Sequence, residues 1–186
     1  MAEAGPLLRG RTAAALILVG ALIAVLALIA VPRTAPPSAP AAPVASAAAP
    51  DIYALSYPNA DAQPQALAQW QGQRLLLNFW ATWCTPCVAE MPQLDRARGA
   101  AAAHGIAIVA LGTEDARKVR AFRDKTGLRM TLLAGGYDAL ELARRLGDTQ
   151  GVLPYTVLLG PHGEMLRSHS GPLEPGQLDQ WIASAP

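Results

Sequence analysis

Two cysteines, Cys84 and Cys87, stand three positions apart and are the only cysteines in the 186-residue chain. An almost wholly apolar run at residues 75–80 comes shortly before them and is typical of a strand buried on both faces. The residues after them, 88–104, have the pattern of a helix that Gly105 ends. The fold must therefore place this pair where a buried strand passes into a helix.

This strand-to-helix context decides between several uses of a Cys-x-x-Cys pair. A zinc knuckle needs two further ligands, and the histidines lie without a paired spacing at His104, His162 and His169. A c-type haem site needs a histidine directly after the second cysteine, where this chain has Val88. A purely structural disulfide across two intervening residues closes almost no loop and adds little stability. The pattern therefore favours a dithiol that cycles between reduced and oxidised forms.

The position at a helix start separates the roles of the two thiols. Unpaired backbone N–H groups and the helix dipole favour a thiolate there, which predicts Cys84 as the attacking sulfur. Cys87 lies one turn further on and is predicted to be the less exposed, resolving thiol. None of the three histidines has a neighbour in the sequence that indicates catalysis, so each is interpreted as structural.

The other apolar patterns predict strands and helices in alternation. Strands are predicted at 52–57, 75–80, 106–111, 130–133, 155–159 and 165–169, helices at 88–104, 114–126, 137–146 and 175–185, and a helical turn at 64–70. Residues 161–163 are predicted to form a tight turn between the last two strands. This order predicts an α/β sandwich in which helices cover both faces of a mixed sheet.

An apolar run of 19 residues, 13–31, contains no charged or strongly polar side chain. As a helix it would span about 28 Å, close to the hydrocarbon thickness of a bilayer. Arg9 and Arg11 precede it, so the positive-inside rule places residues 1–12 in the cytoplasm. We predict a transmembrane signal-anchor. The alternative is a cleaved secretory signal, and either one exports the rest of the chain.

Residues 32–50 hold six prolines and eight alanines and are predicted to form an extended, semi-rigid linker, because this composition cannot bury a core. Residues 51–186 remain as one domain, long enough for a hydrophobic core. The formal net charge of the chain is +1, whereas nucleic-acid-binding proteins usually carry a strong basic excess. We therefore expect no nucleic-acid partner.

The segment around the cysteines resembles a known family. Residues 79–92 read Phe-Trp-Ala-Thr-Trp-Cys-Thr-Pro-Cys-Val-Ala-Glu-Met-Pro, which is similar to the active-site stretch of the thioredoxin superfamily. More narrowly, they resemble the membrane-anchored TlpA/ResA-like thiol-disulfide oxidoreductases of bacteria. A second, weaker match is Gly-Val-Leu-Pro-Tyr-Thr at residues 151–156. The resemblance covers residues 51–186 and implies a thioredoxin-like three-layer sandwich that needs no cofactor and no metal.

The resemblance also implies a substrate-binding surface around the dithiol. Pro154 matches a proline that is cis in this family and faces the cysteines, leaving the backbone of Leu153 to pair with an incoming peptide. Trp83 would form a flat apolar wall of that surface, which Thr85 and Pro86 complete. The alternatives are an ordinary trans turn proline and a tryptophan that simply packs in the core.

Two positions bear on proton transfer. Cytoplasmic thioredoxins have a buried aspartate six residues before the first cysteine, where this chain has Asn78, which cannot accept a proton. Glu90, three residues after Cys87, matches an acidic residue that the family is thought to couple to its dithiol, and burial would raise its pKa into a useful range. The alternative is a solvated carboxylate that pairs with a neighbour such as Arg96. Pro92 is expected to kink the helix.

The function that the resemblance implies is disulfide reduction in the bacterial periplasm, by a single-pass inner-membrane protein. Its substrates would be exported proteins such as apocytochrome c or copper-site assembly proteins, reduced through Cys84 and Cys87. Because that compartment is oxidising, a membrane electron donor must re-reduce the dithiol. Two alternatives stay open: an oxidase that donates disulfides, and a metal chaperone whose dithiol holds copper or zinc without catalysis. Pro86 resembles the reducing members more than the oxidising ones.

Overall fold

The apolar runs of the sequence form the strands of one central sheet in a computed structural model, which describes residues 51–184. The strands are β1 (Ser56–Pro58), β2 (Pro64–Ala66), β3 (Arg74–Trp80), β4 (Ile106–Gly112), β5 (Thr131–Ala134), β6 (Tyr155–Leu159) and β7 (Met165–Ser170). The helices are α1 (Thr85–Ala103), α2 (Ala116–Thr126), α3 (Gly136–Arg145) and α4 (Gln177–Ala183), with 3-10 turns at Ile52–Ala54 and Leu67–Trp70.

The central sheet has five strands in the order β5-β4-β3-β6-β7. The strands β3, β4 and β5 are parallel to one another, as expected where helices connect them. In contrast, β6 runs antiparallel to β3, and β7 runs antiparallel to β6. The predicted mixed sheet is confirmed, and so is the hairpin turn at residues 161–163.

Helices cover both faces of this sheet, because successive side chains of a buried strand point in opposite directions. One face of β3 carries Leu76, Asn78 and Trp80 and packs mainly against α1, α2 and α4. The other face, with Leu77 and Phe79, packs against α3 and the N-terminal 3-10 turns. The result is the three-layer α/β sandwich that the sequence predicts, and Asn78 is a polar residue in one of its two cores.

Two predictions for the N-terminal part of the domain are wrong in detail. Residues 52–57 do not form one edge strand of the main sheet, because they divide into a 3-10 turn and β1, which pairs with β2 alone as a small hairpin. Residues 64–70 divide into β2 and a second 3-10 turn. Such short segments take their structure from partners elsewhere in the chain, and local patterns do not reveal those partners.

All four helices have other bounds than the sequence predicts, and α2 and α3 differ by only one or two residues at an end. Helix α1 begins at Thr85, three residues early, because the Cys84 side chain caps it and Pro86 is tolerated in a first helical turn. The helix continues through Pro92 to Ala103. Helix α4 is shorter than 175–185 and begins only after Gly176, a residue with positive φ.

Within residues 51–184, no helix has the length and apolar character that crossing a membrane requires. The predicted transmembrane span at 13–31 and the linker at 32–50 lie outside the described residues.

Candidate active site

The two cysteines form a disulfide at the start of α1. Cys84 is the N-cap residue, and its Sγ accepts a hydrogen bond from the backbone N–H of Cys87 at 3.3 Å. Cys84 is 5% exposed and Cys87 is fully buried. Cys84, predicted to attack, is therefore the one of the two cysteines that keeps some exposed surface, and it caps a helix end whose N–H groups favour a thiolate.

Trp83 stands on the surface directly before the disulfide. Its side chain is 70% exposed, so the alternative of simple core packing is wrong. Thr85 and Pro86, between the two cysteines, are exposed as well. These three residues surround Cys84 with accessible surface, as the substrate-binding prediction requires.

A buried carboxylate holds the backbone that leads to Trp83. Glu114 accepts a hydrogen bond from the Thr82 N–H at 2.6 Å and pairs with Lys118 at 3.1 Å. Burial acts against ionisation of this carboxyl, but the hydrogen bonds from Thr82 and Lys118 outweigh it and hold the pKa of Glu114 below its usual value. The same residues line an open groove of about 520 Å³ beside the exposed tryptophan, completed by Ala121, Phe122 and Lys125.

The peptide bond between Leu153 and Pro154 is cis, as the resemblance implies. The two residues lie directly before β6, whose first residue, Tyr155, pairs with Phe79 near the end of β3. The Leu153–Pro154 segment and the cysteine pair are therefore attached to the same end of the sheet. The N–H and C=O groups of Leu153 make no hydrogen bond within residues 51–184.

Glu90 lies on α1, one turn beyond Cys87, and is only 6% exposed. Its Oε1 accepts a hydrogen bond from Asn78 Nδ2 at 2.7 Å, and its Oε2 accepts one from the Leu173 N–H at 3.2 Å. The structure thus contradicts the alternative of a solvated carboxylate paired with Arg96: the partners of Glu90 are an amide and a backbone N–H.

The buried position gives this carboxyl an unusual proton affinity. Burial raises the pKa of Glu90 above its usual value, while the bonds from Leu173 and Asn78 and the charge of His169 oppose part of that rise. A carboxyl group with a raised pKa exchanges protons closer to neutral pH, where thiol chemistry takes place. Glu90 is therefore suited to take up and return a proton one helical turn from the resolving cysteine.

Asn78 is a fully buried amide whose two ends differ in their contacts. Nδ2 donates to Glu90 and also to Thr156 Oγ1 at 3.0 Å. Oδ1 has no partner within residues 51–184. Since a half turn of the amide would present Oδ1 in place of Nδ2, Asn78 can serve either an ionised or a protonated Glu90.

One residue near this site, His169, could not be assigned to it from the sequence patterns. It lies on β7 directly opposite Thr156, which itself lies opposite Asn78, so three polar residues form a row across three strands. The charge of His169 acts on Glu90. The interpretation of His169 as a structural residue stays a prediction, and its place in this row depends on strand register, which local sequence patterns do not show.

Residues 51–184 contain no group of three or more His, Cys, Asp or Glu side chains that could hold a metal ion.

Comparison with known proteins identifies the family. The Redoxin family profile matches residues 41–182. Thiol-disulfide oxidoreductase ResA of Halalkalibacterium halodurans is 28% identical over 119 residues, which are 62% of this chain and 64% of the relative, so the match spans less than two thirds of its length. The thioredoxin-like protein YneN of Bacillus subtilis is 30% identical over 138 residues, covering 71% of this chain and 75% of YneN.

A solved structure gives the same result for the fold. The crystal structure of a protein from Chlorobium tepidum, named as a thiol:disulfide interchange protein DsbE, superposes with a TM-score of 0.60 at 26% identity. The superposition covers 74% of this chain and 94% of that protein. The sandwich described above is thus thioredoxin-like, and the chain belongs to the redoxin family, as a TlpA/ResA-like member of the thioredoxin superfamily.

Proposed function

We propose that this protein is a thiol-disulfide oxidoreductase that reduces disulfides in exported proteins through Cys84 and Cys87. The observation that carries the proposal is the Cys84–Cys87 pair at the N-terminus of α1, beside an exposed tryptophan and one turn from a buried glutamate. Attack, docking and proton transfer would each have a residue within this small region. The family and the names of the relatives support the same chemistry.

The reaction starts from the reduced protein. The Cys84 thiolate attacks one sulfur of the substrate disulfide, and the other substrate sulfur leaves as a thiolate. Cys87 then attacks Cys84 Sγ in the mixed disulfide, its thiol proton passes to the Glu90 carboxylate, and the second substrate sulfur is released. Two electrons have moved to the substrate, and the protein is left with the Cys84–Cys87 disulfide. Glu90 returns its proton when a donor reduces the protein again.

The substrate surface consists of Trp83, Thr85, Pro86, Leu153 and Pro154. The exposed Trp83 ring offers an apolar platform next to Cys84. The unpaired backbone groups of Leu153 can add an extended substrate segment by strand-like hydrogen bonding. A peptide bound in this way would pass across the cysteine pair.

Residues 1–50 are the basis for the proposed cellular location. We propose that residues 13–31 anchor the protein in the bacterial inner membrane and that the linker at 32–50 carries the catalytic domain in the periplasm. A membrane donor would supply the electrons, and apocytochrome c or copper-site assembly proteins are suitable substrate classes. Carbonate-resistant membrane association of the full chain, lost on deletion of residues 1–31, tests this placement; a soluble full-length protein would overturn it.

The function itself is tested by trapping. Cys87→Ser leaves Cys84 to attack but removes the resolving thiol, so the variant should accumulate mixed disulfides with exported proteins that dithiothreitol releases. Cys84→Ser, the matched control, should trap none. The wild type should also reduce insulin disulfides catalytically with dithiothreitol. Equal adducts with both variants, or an insulin rate no faster than that of dithiothreitol alone, would refute the proposal.

A further inference from the structure

The row of polar residues described above leads from Glu90 to the edge of the sheet. Thr156 is paired with Asn78 on one side and with His169 on the other. Side chains of directly opposed residues on neighbouring strands lie on the same face of a sheet. This face packs against α1, which carries Glu90, and its polar row ends at His169 on β7.

Two hydrogen bonds hold the His169 ring in place. Its Nε2 lies 3.0 Å from the Pro172 carbonyl oxygen, which can only accept, so Nε2 carries a proton. Its Nδ1 lies 3.2 Å from Gln177 Nε2. Gln177 Oε1 accepts the Glu174 N–H at 2.9 Å, which orients the amide so that its NH₂ group donates to Nδ1. The ring is thus held between the Pro172 carbonyl and the Gln177 side chain.

The ring binds the segment 171–174, which lies in the connection between β7 and α4. This segment contacts the active site at two points. Gly171 donates its N–H to the Pro154 carbonyl oxygen at 2.8 Å. Two residues later, Leu173 donates its N–H to Glu90 Oε2 at 3.2 Å. The bond to His169 is at Pro172, between these two contacts. One short turn thus meets both the cis-proline segment and the buried carboxylate.

We propose that His169 is a positioning residue for Glu90: by holding the 171–174 turn at the Pro172 carbonyl, it keeps the Leu173 N–H on the Glu90 carboxylate. A backbone N–H favours the ionised form of a carboxyl group. Loss of His169 should therefore lower the fraction of Glu90 that is ionised at acidic pH. The step in which the Glu90 carboxylate accepts the Cys87 proton should then be slower. This consequence rests on the proposed function, whereas the positioning itself does not.

Four influences act on the Glu90 carboxyl within residues 51–184. They are the burying environment, the Leu173 N–H, the Asn78 amide and His169. The electrostatic interaction with His169 lowers the pKa of Glu90, in the same direction as the Leu173 bond. Removing His169 therefore withdraws two influences that both favour the carboxylate.

The direct test is a titration of the Glu90 carboxyl by ¹³C NMR in the full chain in detergent micelles, with the disulfide formed. His169→Ala should move the Glu90 titration to higher pH. His162→Ala, a change in the β6–β7 turn, should leave it in place. His169→Gln, whose amide can still donate to Pro172, should recover part of the wild-type behaviour. An unmoved titration in His169→Ala would overturn the proposal, whatever the activity of the protein.

The kinetic counterpart uses the rate of insulin reduction from pH 5 to 9. We expect His169→Ala to be slower than wild type by roughly threefold or more at pH 5–6 and equal to it above pH 8. In a Glu90→Gln background the same change should have no pH-dependent effect. A loss of equal size at every pH, or one that persists in that background, would show that His169 does not act through Glu90. A wild type inactive toward disulfides would refute the proposed function and leave the NMR result to decide the positioning role.

Discussion

At the scale of single residues, the Asn78–Glu90 pair distinguishes this site from one with a single buried aspartate. The strand position of the aspartate in cytoplasmic thioredoxins holds an amide here, and the carboxylate comes from the helix instead. The amide donates to the carboxylate at 2.7 Å while its own oxygen is unpaired within residues 51–184. We therefore propose that Glu90 carries the proton and that Asn78 adapts to its protonation state.

Glu90→Gln tests this assignment. The glutamine fits the pocket, because Asn78 can turn its Oδ1 toward the new NH₂ group while the glutamine oxygen still accepts the Leu173 N–H. It cannot take up the Cys87 proton, so we expect insulin reduction to be slower by about 100-fold, in the range of general acid–base contributions. The decrease of the insulin-reduction rate at acidic pH should also disappear in this variant. Wild-type rates across pH 5–9 would remove Glu90 from the mechanism.

Asn78→Asp should damage the site in a different way. It places a second carboxylate where the amide N–H now meets Glu90, and two such groups in contact cannot both ionise. We expect the shared proton to be retained to higher pH and the free energy of unfolding at pH 7 to fall by about 3 kcal/mol. Thr156→Val, which removes only the 3.0 Å bond from Asn78, is the control and should lose about 1 kcal/mol. Urea denaturation measures both, and equal losses would contradict this account.

At the scale of elements, we expect the start of α1 to determine which sulfur attacks the substrate. Cys84 caps the helix, and its Sγ accepts a hydrogen bond from the Cys87 N–H. Cys87 lies inside the first turn and is fully buried. The helix N-terminus favours a thiolate most at the capping residue, and burial opposes ionisation of the Cys87 thiol. The difference between the two thiols is thus a property of the strand-to-helix junction.

Alkylation of the reduced protein measures this difference. At pH 6, where an ordinary thiol is mostly protonated, iodoacetamide should modify Cys84 and leave Cys87 unmodified, because a thiolate at a helix N-terminus forms more readily. Mass spectrometry of the labelled peptides identifies the site, and the denatured protein, in which both cysteines should react at the same slow rate, is the control. Faster labelling of Cys87 in the folded protein would contradict the assigned roles.

The elements also show what the sequence could and could not predict. Strands β3, β4 and β6 are long apolar runs bounded by breaking residues, so local patterns were enough to locate them. The cysteine pair and Glu90 were accessible through spacing on a single helix. His169 was not, because its relation to Glu90 depends on the register of β6 and β7 and on the turn after β7. The place of His169 in this site is thus decided by contacts between segments that are distant in the sequence.

At the scale of the whole molecule, the buried glutamate should make stability depend on pH. The pKa of Glu90 in the folded state is raised above its unfolded value, so the native state binds the proton more tightly. Its contribution to stability is then fully present below the unfolded pKa and is lost as pH rises through the folded pKa. The ionised buried carboxylate thus lowers the stability of the wild type near neutral pH.

Thermal unfolding of wild type and Glu90→Gln should show this effect. The glutamine carries no charge at any pH, so the melting temperature of the variant relative to wild type should rise between pH 4 and pH 8. Asp124→Asn, a change of an exposed carboxylate on α2, is the control and should show no comparable rise. A difference that stays constant or falls with increasing pH would contradict the raised pKa.

The direction of electron flow is a property of the whole protein, and its reduction potential is the most direct test of the reductase proposal. Equilibration of the Cys84–Cys87 pair in redox buffers of known potential, followed by quantifying the free thiols, gives this value. We expect a potential near that of thioredoxin, about −270 mV, at which the dithiol is a good donor of electrons to substrate disulfides. A potential near −120 mV, typical of a strong disulfide donor, would contradict the proposal and make the protein an oxidase.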